Sequence, residues 1–203
     1  ASLPLVIDPV VVASTYSGST VETYGHSATY DKAGNIYTAG MCFGVGYPAT
    51  PGSYQVNFNG FVDMAISKLK PDGSKPLYAT YLGGSSDDRP HSMFVNSQDE
   101  LCIYGSTGSS DYPVTIAALD PSYNGNYDIV VSKLSPSGAV LLASTYLGGS
   151  QEDGINLAVY NYGDMYRGEI IADDNDNMYV ASFTRSSDFP ATPGAYDQGF
   201  NGI

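Results

Sequence analysis

The sequence predicts an all-β chain assembled from copies of one unit, and three observations carry that reading. First, the chain repeats at a spacing of 65 residues: Ser14–Gly18 returns as Ala79–Gly84 and again as Ser144–Gly149. Pro48 and Pro113, Asn59-Gly60 and Asn124-Gly125, Asp63 and Asp128, and the two histidines His26 and His91 all keep this spacing. Second, the composition of 18 Tyr, 7 Phe, 23 Gly and 12 Pro favours short aromatic and β-branched runs between turn-forming residues. Third, no polar–apolar run of helical period exceeds about two turns. One such unit cannot bury its own apolar face, so copies must stack on one another.

Four strand-like runs are marked within residues 25–82: His26–Tyr30, Asn35–Ala39, Asp63–Leu69 and Leu77–Leu82. Asp31–Gly34 and Lys70–Gly73 read as tight turns, with Gly supplying the positive φ and Asp capping nearby amides. The second unit, residues 90–147, repeats the layout with His91–Val95, Leu101–Gly105, Asp128–Leu134 and Val140–Leu147. Four short antiparallel strands per repeat, without a helix, fit a β-propeller blade better than a sandwich or a solenoid.

A third, incomplete unit spans 168–203, with strands expected around Ile170–Asp173 and Met178–Ala181. It is preceded by an insertion at 156–167, which adds 12 residues to the spacing. At the other end, residues 10–17 read as an orphan outer strand of the sort that closes a ring by pairing the two chain ends. About three blades do not close a ring, so the chain is expected to be the N-terminal part of a longer propeller.

Eight basic against 21 acidic side chains give a net charge of −13, which excludes a nucleic-acid backbone or an anionic lipid surface as partner. No run of about 20 apolar residues is present, so no direct membrane insertion is expected. The chain opens at Ala1 without a charged or apolar leader, so any secretory signal is expected to have been removed or to lie outside these residues. Acidic, lysine-poor and rich in Tyr, Thr, Ser and Gly, the chain has the composition of a secreted or cell-surface protein. Cys42 and Cys102 occupy non-equivalent repeat positions, so two partly buried free thiols are expected over a disulfide.

The strings Thr80–Asp88, Asp31–Tyr37, Ser109–Pro113, Val131–Gly138 and Ser187–Tyr196 resemble the bacterial SBBP-type β-propeller repeat. The resemblance covers the chain from residue 10 onward. Thr15–Thr20 and Asn161–Glu169 further resemble large Bacteroidetes surface proteins exported by the type IX secretion system and associated with gliding or adhesion. The resemblance implies a ring of seven or so blades and no catalytic residues. Its departures are Gln98-Asp99-Glu100 at the first hairpin turn of the second unit and Arg89-Pro90 before that unit's inner strand.

Candidate chemistry is sparse. His26 and His91 open successive inner strands, where paired imidazoles line a ligand site or simply pack. Asp173, Asp174 and Asp176, within Asp173–Asn177, supply the hard oxygen ligands Ca²⁺ takes, but lack the remaining signature of an EF-hand loop, and turn chemistry competes. The insertion, with Tyr160, Tyr162, Tyr166 and Arg167, should share a face with the long loops 41–61, 106–126 and 183–203 and with Phe43, Tyr47, Tyr54, Tyr123 and Tyr196. Tyrosines of that kind suit a surface glycan or a protein partner, secretion machinery included, whereas the repeated Tyr54 and Tyr196 are expected to staple loops to the sheets. No hydrolase, metalloprotease or phosphate-loop signature is present. The expected function is therefore a non-catalytic binding or structural module of a secreted surface protein. A carbohydrate-active enzyme and a scaffold or cargo of the export machinery are the alternatives.

Overall fold

The computed structural model of the chain describes residue 11, residues 13–157 and residues 165–202. Ten strands form: β1 (Thr23–Tyr30), β2 (Ile36–Cys42), β3 (Asp63–Leu69), β4 (Pro76–Leu82), β5 (Asp88–Val95), β6 (Leu101–Thr107), β7 (Asp128–Leu134), β8 (Leu141–Leu147), β9 (Glu169–Ala172) and β10 (Met178–Ala181). They make two four-stranded antiparallel sheets, β1-β2-β3-β4 and β5-β6-β7-β8, and a two-stranded sheet, β9-β10. No helix occurs among the described residues, so none is long and apolar enough to cross a membrane.

The repeat reappears as register. Ile36 faces Leu69 and Leu101 faces Leu134; Met64 faces Leu82 and Ile129 faces Leu147. A bulge interrupts β1 between Gly25 and Ser27, and another interrupts β5 between Pro90 and Ser92. Pro90 is tolerated because it sits at a bulge on an edge strand, where its missing N–H costs no ladder bond.

The first hairpin turn of each unit hangs on one side chain. Asp31 Oδ1 accepts from the backbone N–H groups of Ala33 and Asn35, at 3.0 and 2.8 Å. Asn96 Oδ1 does the same for Gln98 and Glu100, and Asp173 Oδ1 for Asn175 and Asn177. Gly34 takes the positive φ of 80° in the first turn, whereas Asp99 and Asp176 take it at 62° and 65° in the others. The Gln98-Asp99-Glu100 departure thus leaves the turn geometry unchanged, since Asp tolerates the left-handed region.

Successive sheets bury one another. Met64, Ile66 and Tyr78 of the first sheet share a core with Met93, Leu101, Ile103 and Val130 of the second. Tyr104 and Ile129 of the second pack with Ile170, Met178 and Val180 of the third. Backbone bonds fasten the same junctions: Asp88 N–H donates to Val62 at 2.7 Å, and Asp153 N–H to Tyr127 at 2.8 Å. Parallel bridges Val62–Asp87 and Tyr127–Glu152 lie beside them. The outer edges of β4 and β8 are covered by their own loops, through Thr50 and Gln55 in one unit and Thr115 and Asp120 in the other. Cys42 and Cys102 are free and buried, and burial pushes the Cys102 thiol up to about 12.

The outer strand expected at 10–17 lies partly outside the described residues. Residues 13–17 adopt no strand, and Tyr16 is 96 % exposed, whereas Tyr81 and Tyr146 at the same repeat position are 1 % exposed. An outer strand needs a third strand beside it, and no described sheet offers that edge to residues 13–17.

Each bulge needs a glycine opposite it. A Cβ on Gly40 would collide with the Tyr24 carbonyl, and one on Gly105 with the Arg89 carbonyl. Gly105→Ala should therefore cost about 1–3 kcal/mol in urea unfolding. A loss below roughly 0.5 kcal/mol would mean that the bulge relaxes around the added methyl.

Candidate functional site

The bulges decide where the histidines go. His26 and His91 are the extra residues of the two bulged strands, which re-aims both side chains toward one place. Gly168, with φ 154°, holds the same repeat position ahead of β9, and the Tyr104 hydroxyl fills the space its side chain would take.

Tyr166 lies between the two histidines. Its ring centroid is 5.9 Å from that of His26 and 5.7 Å from that of His91. The Arg89 guanidinium stacks over the Tyr166 ring at 4.7 Å and donates a short hydrogen bond to its hydroxyl. Arg89 also donates to Asp87 at 2.8 Å and approaches the Met41 sulfur at 3.6 Å. The Tyr127 hydroxyl completes the group by donating to Asp87 at 3.0 Å.

Beneath this layer, His91 Nε2 and the Ser106 hydroxyl are 3.0 Å apart, and the imidazole meets Tyr104 edge-on at 5.0 Å. His91 Nδ1 and Arg89 Nε are buried without a partner. Burial, with the charges of His26 and Arg89 behind it, pushes the His91 imidazole down to about 3. Burial and then Arg89 also lower His26, which stands exposed at the rim. Both imidazoles are thus neutral at pH 7. Burial and the Asp87 carboxylate push the Tyr127 phenol up to about 12, so it remains a hydrogen-bond donor. With one anchored cation, stacked rings and neutral imidazoles, the cluster suits recognition by stacking and hydrogen bonding.

Of the residues singled out from sequence, His26, His91 and Tyr166 meet here. Arg167 is exposed, and its backbone carbonyl accepts from the Tyr104 hydroxyl at 3.5 Å. Tyr160 and Tyr162 lie outside the described residues. Tyr166 itself stands 77 residues after Arg89, which stands 65 after Tyr24. It is therefore in register with those two residues rather than part of the insertion, whose extra length falls before it.

The candidate Ca²⁺ ligands Asp173, Asp174 and Asp176 lie in the turn between β9 and β10. The Asp173 carboxylate is occupied by the N–H groups of Asn175 and Asn177, the Asn177 amide and the Tyr179 hydroxyl. Asp176 pairs with Lys133 and accepts from Asn96 at 3.0 Å, tying the third sheet's turn to the second sheet. Asp174 is exposed, and no three His, Cys, Asp or Glu among the described residues converge as metal ligands do.

Among the loop aromatics, Tyr47 is buried against Tyr81 and Ser67, and Tyr54 and Tyr123 pack on the core as staples. Tyr196 does not: it is fully exposed, because no described sheet lies on its far side as the second sheet does for Tyr54. Sequence reasoning missed Arg89, Asp87 and Tyr127 as site members. The available signal was the change from Tyr24 to Arg89 at an otherwise repeated position. No protein-family model matches the chain, and no curated protein matches it.

A lowered histidine makes stability fall on acidification, because the unfolded chain takes up the proton first. For His91 the loss begins near pH 6.5 and continues toward the folded value of about 3, reaching roughly 2 kcal/mol at pH 5. Imidazole NMR should show His91 neutral down to about pH 4. A midpoint of 6 or above would remove its burial from the account.

Proposed function

We propose that the chain forms part of a β-propeller and serves as a non-catalytic binding or structural module of a secreted bacterial surface protein. On this reading it is an SBBP-type repeat protein, of the Bacteroidetes type exported by the type IX system and used in gliding or adhesion. The observation that carries the propeller is the order of contacts: β1 packs on β5 and β5 on β9, first strand upon first strand. Inner strands that neighbour one another in succession are what radial repetition produces.

The site reading rests on broken symmetry. At one equivalent position the units carry Tyr24, Arg89 and Tyr166 in turn, and two residues on they carry His26, His91 and Gly168. That variation builds one cationic–aromatic cluster beside the long loops, suited to a surface glycan or a protein partner. The enzyme alternative finds no comparable support, since the paired carboxylates of the fold recur in both units and are fully buried from any substrate.

A glycan array probed with the intact chain, Tyr166→Ala and Arg89→Ala tests this. Retained glycans should bind each variant at least about tenfold more weakly, equivalent to about 1.4 kcal/mol. Unchanged binding would move recognition away from the cluster. Silence across the array, with capture by export components, would favour the scaffold or cargo role.

A further inference from the structure

Two buried carboxylates meet at each junction between sheets. Asp63 opens β3 and Asp88 opens β5, on either side of the first junction; Asp128 opens β7 and faces Asp153 across the second. All four are 0 % exposed. A Cβ on Gly83 would stand 2.6 Å from Asp63 Oδ1 and 2.7 Å from Asp88 Oδ2. One on Gly148 would stand 2.5 Å from Asp128 Oδ1 and 3.0 Å from Asp153 Oδ2. Each glycine α-carbon is thus flanked by one oxygen from each member of its pair.

The hydrogen bonds divide each pair unequally. Asp88 accepts from Gly84 N–H at 2.7 Å, from the Ser109 hydroxyl at 2.9 Å and from the Thr107 hydroxyl. Asp153 accepts from Gly149 N–H at 2.6 Å and from the Ser186 hydroxyl at 2.8 Å. Asp63 and Asp128 accept through Oδ2 alone, from Asn59 and Asn124 N–H at 2.9 and 2.8 Å, with Gln55 adding a bond to Asp63. Oδ1 of Asp63, of Asp128 and of Asp153 is buried and bare. Two adjacent buried anions with a bare oxygen are strongly disfavoured. The ion pairs of Lys68, Arg89, Lys133 and Arg185 all go elsewhere. A proton is the charge this geometry admits.

We propose that each junction is a proton-binding site, one proton carried by the buried Asp63–Asp88 pair and another by Asp128 beside Asp153, fastening each sheet to the next. Asp63 and Asp128 are the neutral donors, because their partners receive the N–H and hydroxyl bonds that favour an anion. Burial first, then the Asp88 charge, pushes Asp63 up to about 7, and burial pushes Asp128 up to about 6. Burial likewise raises Asp88 to about 6, so the proton belongs to the pair.

The other groups facing these pairs are acids: Asp111, Cys42, Tyr81 and Tyr112 around the first, Asp120 around the second, with Tyr123 and Tyr146 near both. None supplies a compensating cation. Because the folded values lie above the free value of 3.8, the protonated junction confers its full stability below that pH. That stability is lost as pH rises toward 7. His26 and His91 titrate in the opposite sense over part of this range, so the whole-protein slope does not isolate the junctions.

The test follows carboxyl ¹³C shifts of aspartate-labelled protein from acid to alkaline pH, beside urea unfolding of wild type, Asp63→Asn and Asp128→Asn at pH 5 and pH 8. Carboxyls still titrating above about pH 5.5 are expected. Asparagine mimics the neutral donor, so each variant should match wild type at pH 5 and unfold at higher urea at pH 8. If every carboxyl titrates below about pH 5, the proposal is overturned whether or not the variants fold. Equal destabilisation of both variants at both pH values also overturns it.

Discussion

Everything in this chain depends on the junction between one sheet and the next. Neither four-stranded sheet can bury both of its faces alone, so Met64, Ile66 and Tyr78 become core only when the second sheet brings Leu101, Ile103 and Val130 against them. Apolar contact sets the strength of that junction, but it does not set its register. Register comes from Asp88 N–H on the Val62 carbonyl and from its counterpart at Asp153 and Tyr127, which allow one alignment of neighbouring sheets. The same alignment sets Asp63 beside Asp88, so the bonds that fix the register also create the carboxylate pair.

That constraint explains which residues repeat without change. Gly83 and Gly148 have carboxylates where a side chain would go, and Gly40 and Gly105 have carbonyls there. Tyr81 and Tyr146 hold the loops over the outer strands, with the Tyr47 N–H donating to the Tyr81 hydroxyl at 3.0 Å and the Tyr146 hydroxyl donating to Ser109 at 2.9 Å. Each is required by the backbone path itself. Where the junction uses only backbone groups, side chains are free to differ, and Tyr24, Arg89 and Tyr166 do differ.

Much of the fold was legible for this reason. Asp63–Leu69, Asp128–Leu134 and Met178–Ala181 are strands with the bounds their alternation suggests, because turn residues flank them closely. β1 and β5 begin three residues before the histidines that seemed to open them. A bulge places an extra residue in the strand without leaving a mark in its polar–apolar pattern. That hidden bulge also limited the reading of the site. His26 and His91 were visible as a repeated pair, but their convergence on Tyr166 depends on the bulge re-aiming them. Arg89 and Asp87 were legible only as departures from the repeat, which mark a difference without saying what it meets. The Asp173–Asn177 stretch kept two readings open for a related reason: an Asp that caps its own turn and an Asp that awaits a cation present the same letters.

Bulge and junction together determine where a repeated fold can acquire a site. A position equivalent in every unit normally meets equivalent neighbours, so a change there is felt equally by each copy. At the inner strands the equivalent positions of successive units meet one another instead: Arg89 of the second sheet stacks on Tyr166 ahead of the third. One substitution, Arg where the neighbours carry Tyr, therefore produces a cation–π contact with a non-identical partner without disturbing the hydrogen-bonded junction below. Gly168 in place of a third histidine leaves room for the Tyr104 hydroxyl, which reaches Ser182 at 2.5 Å. The cluster is asymmetric because the packing of one unit's first strand on the next lets unlike residues touch, while the carboxylate junctions stay alike because the backbone there admits no variation.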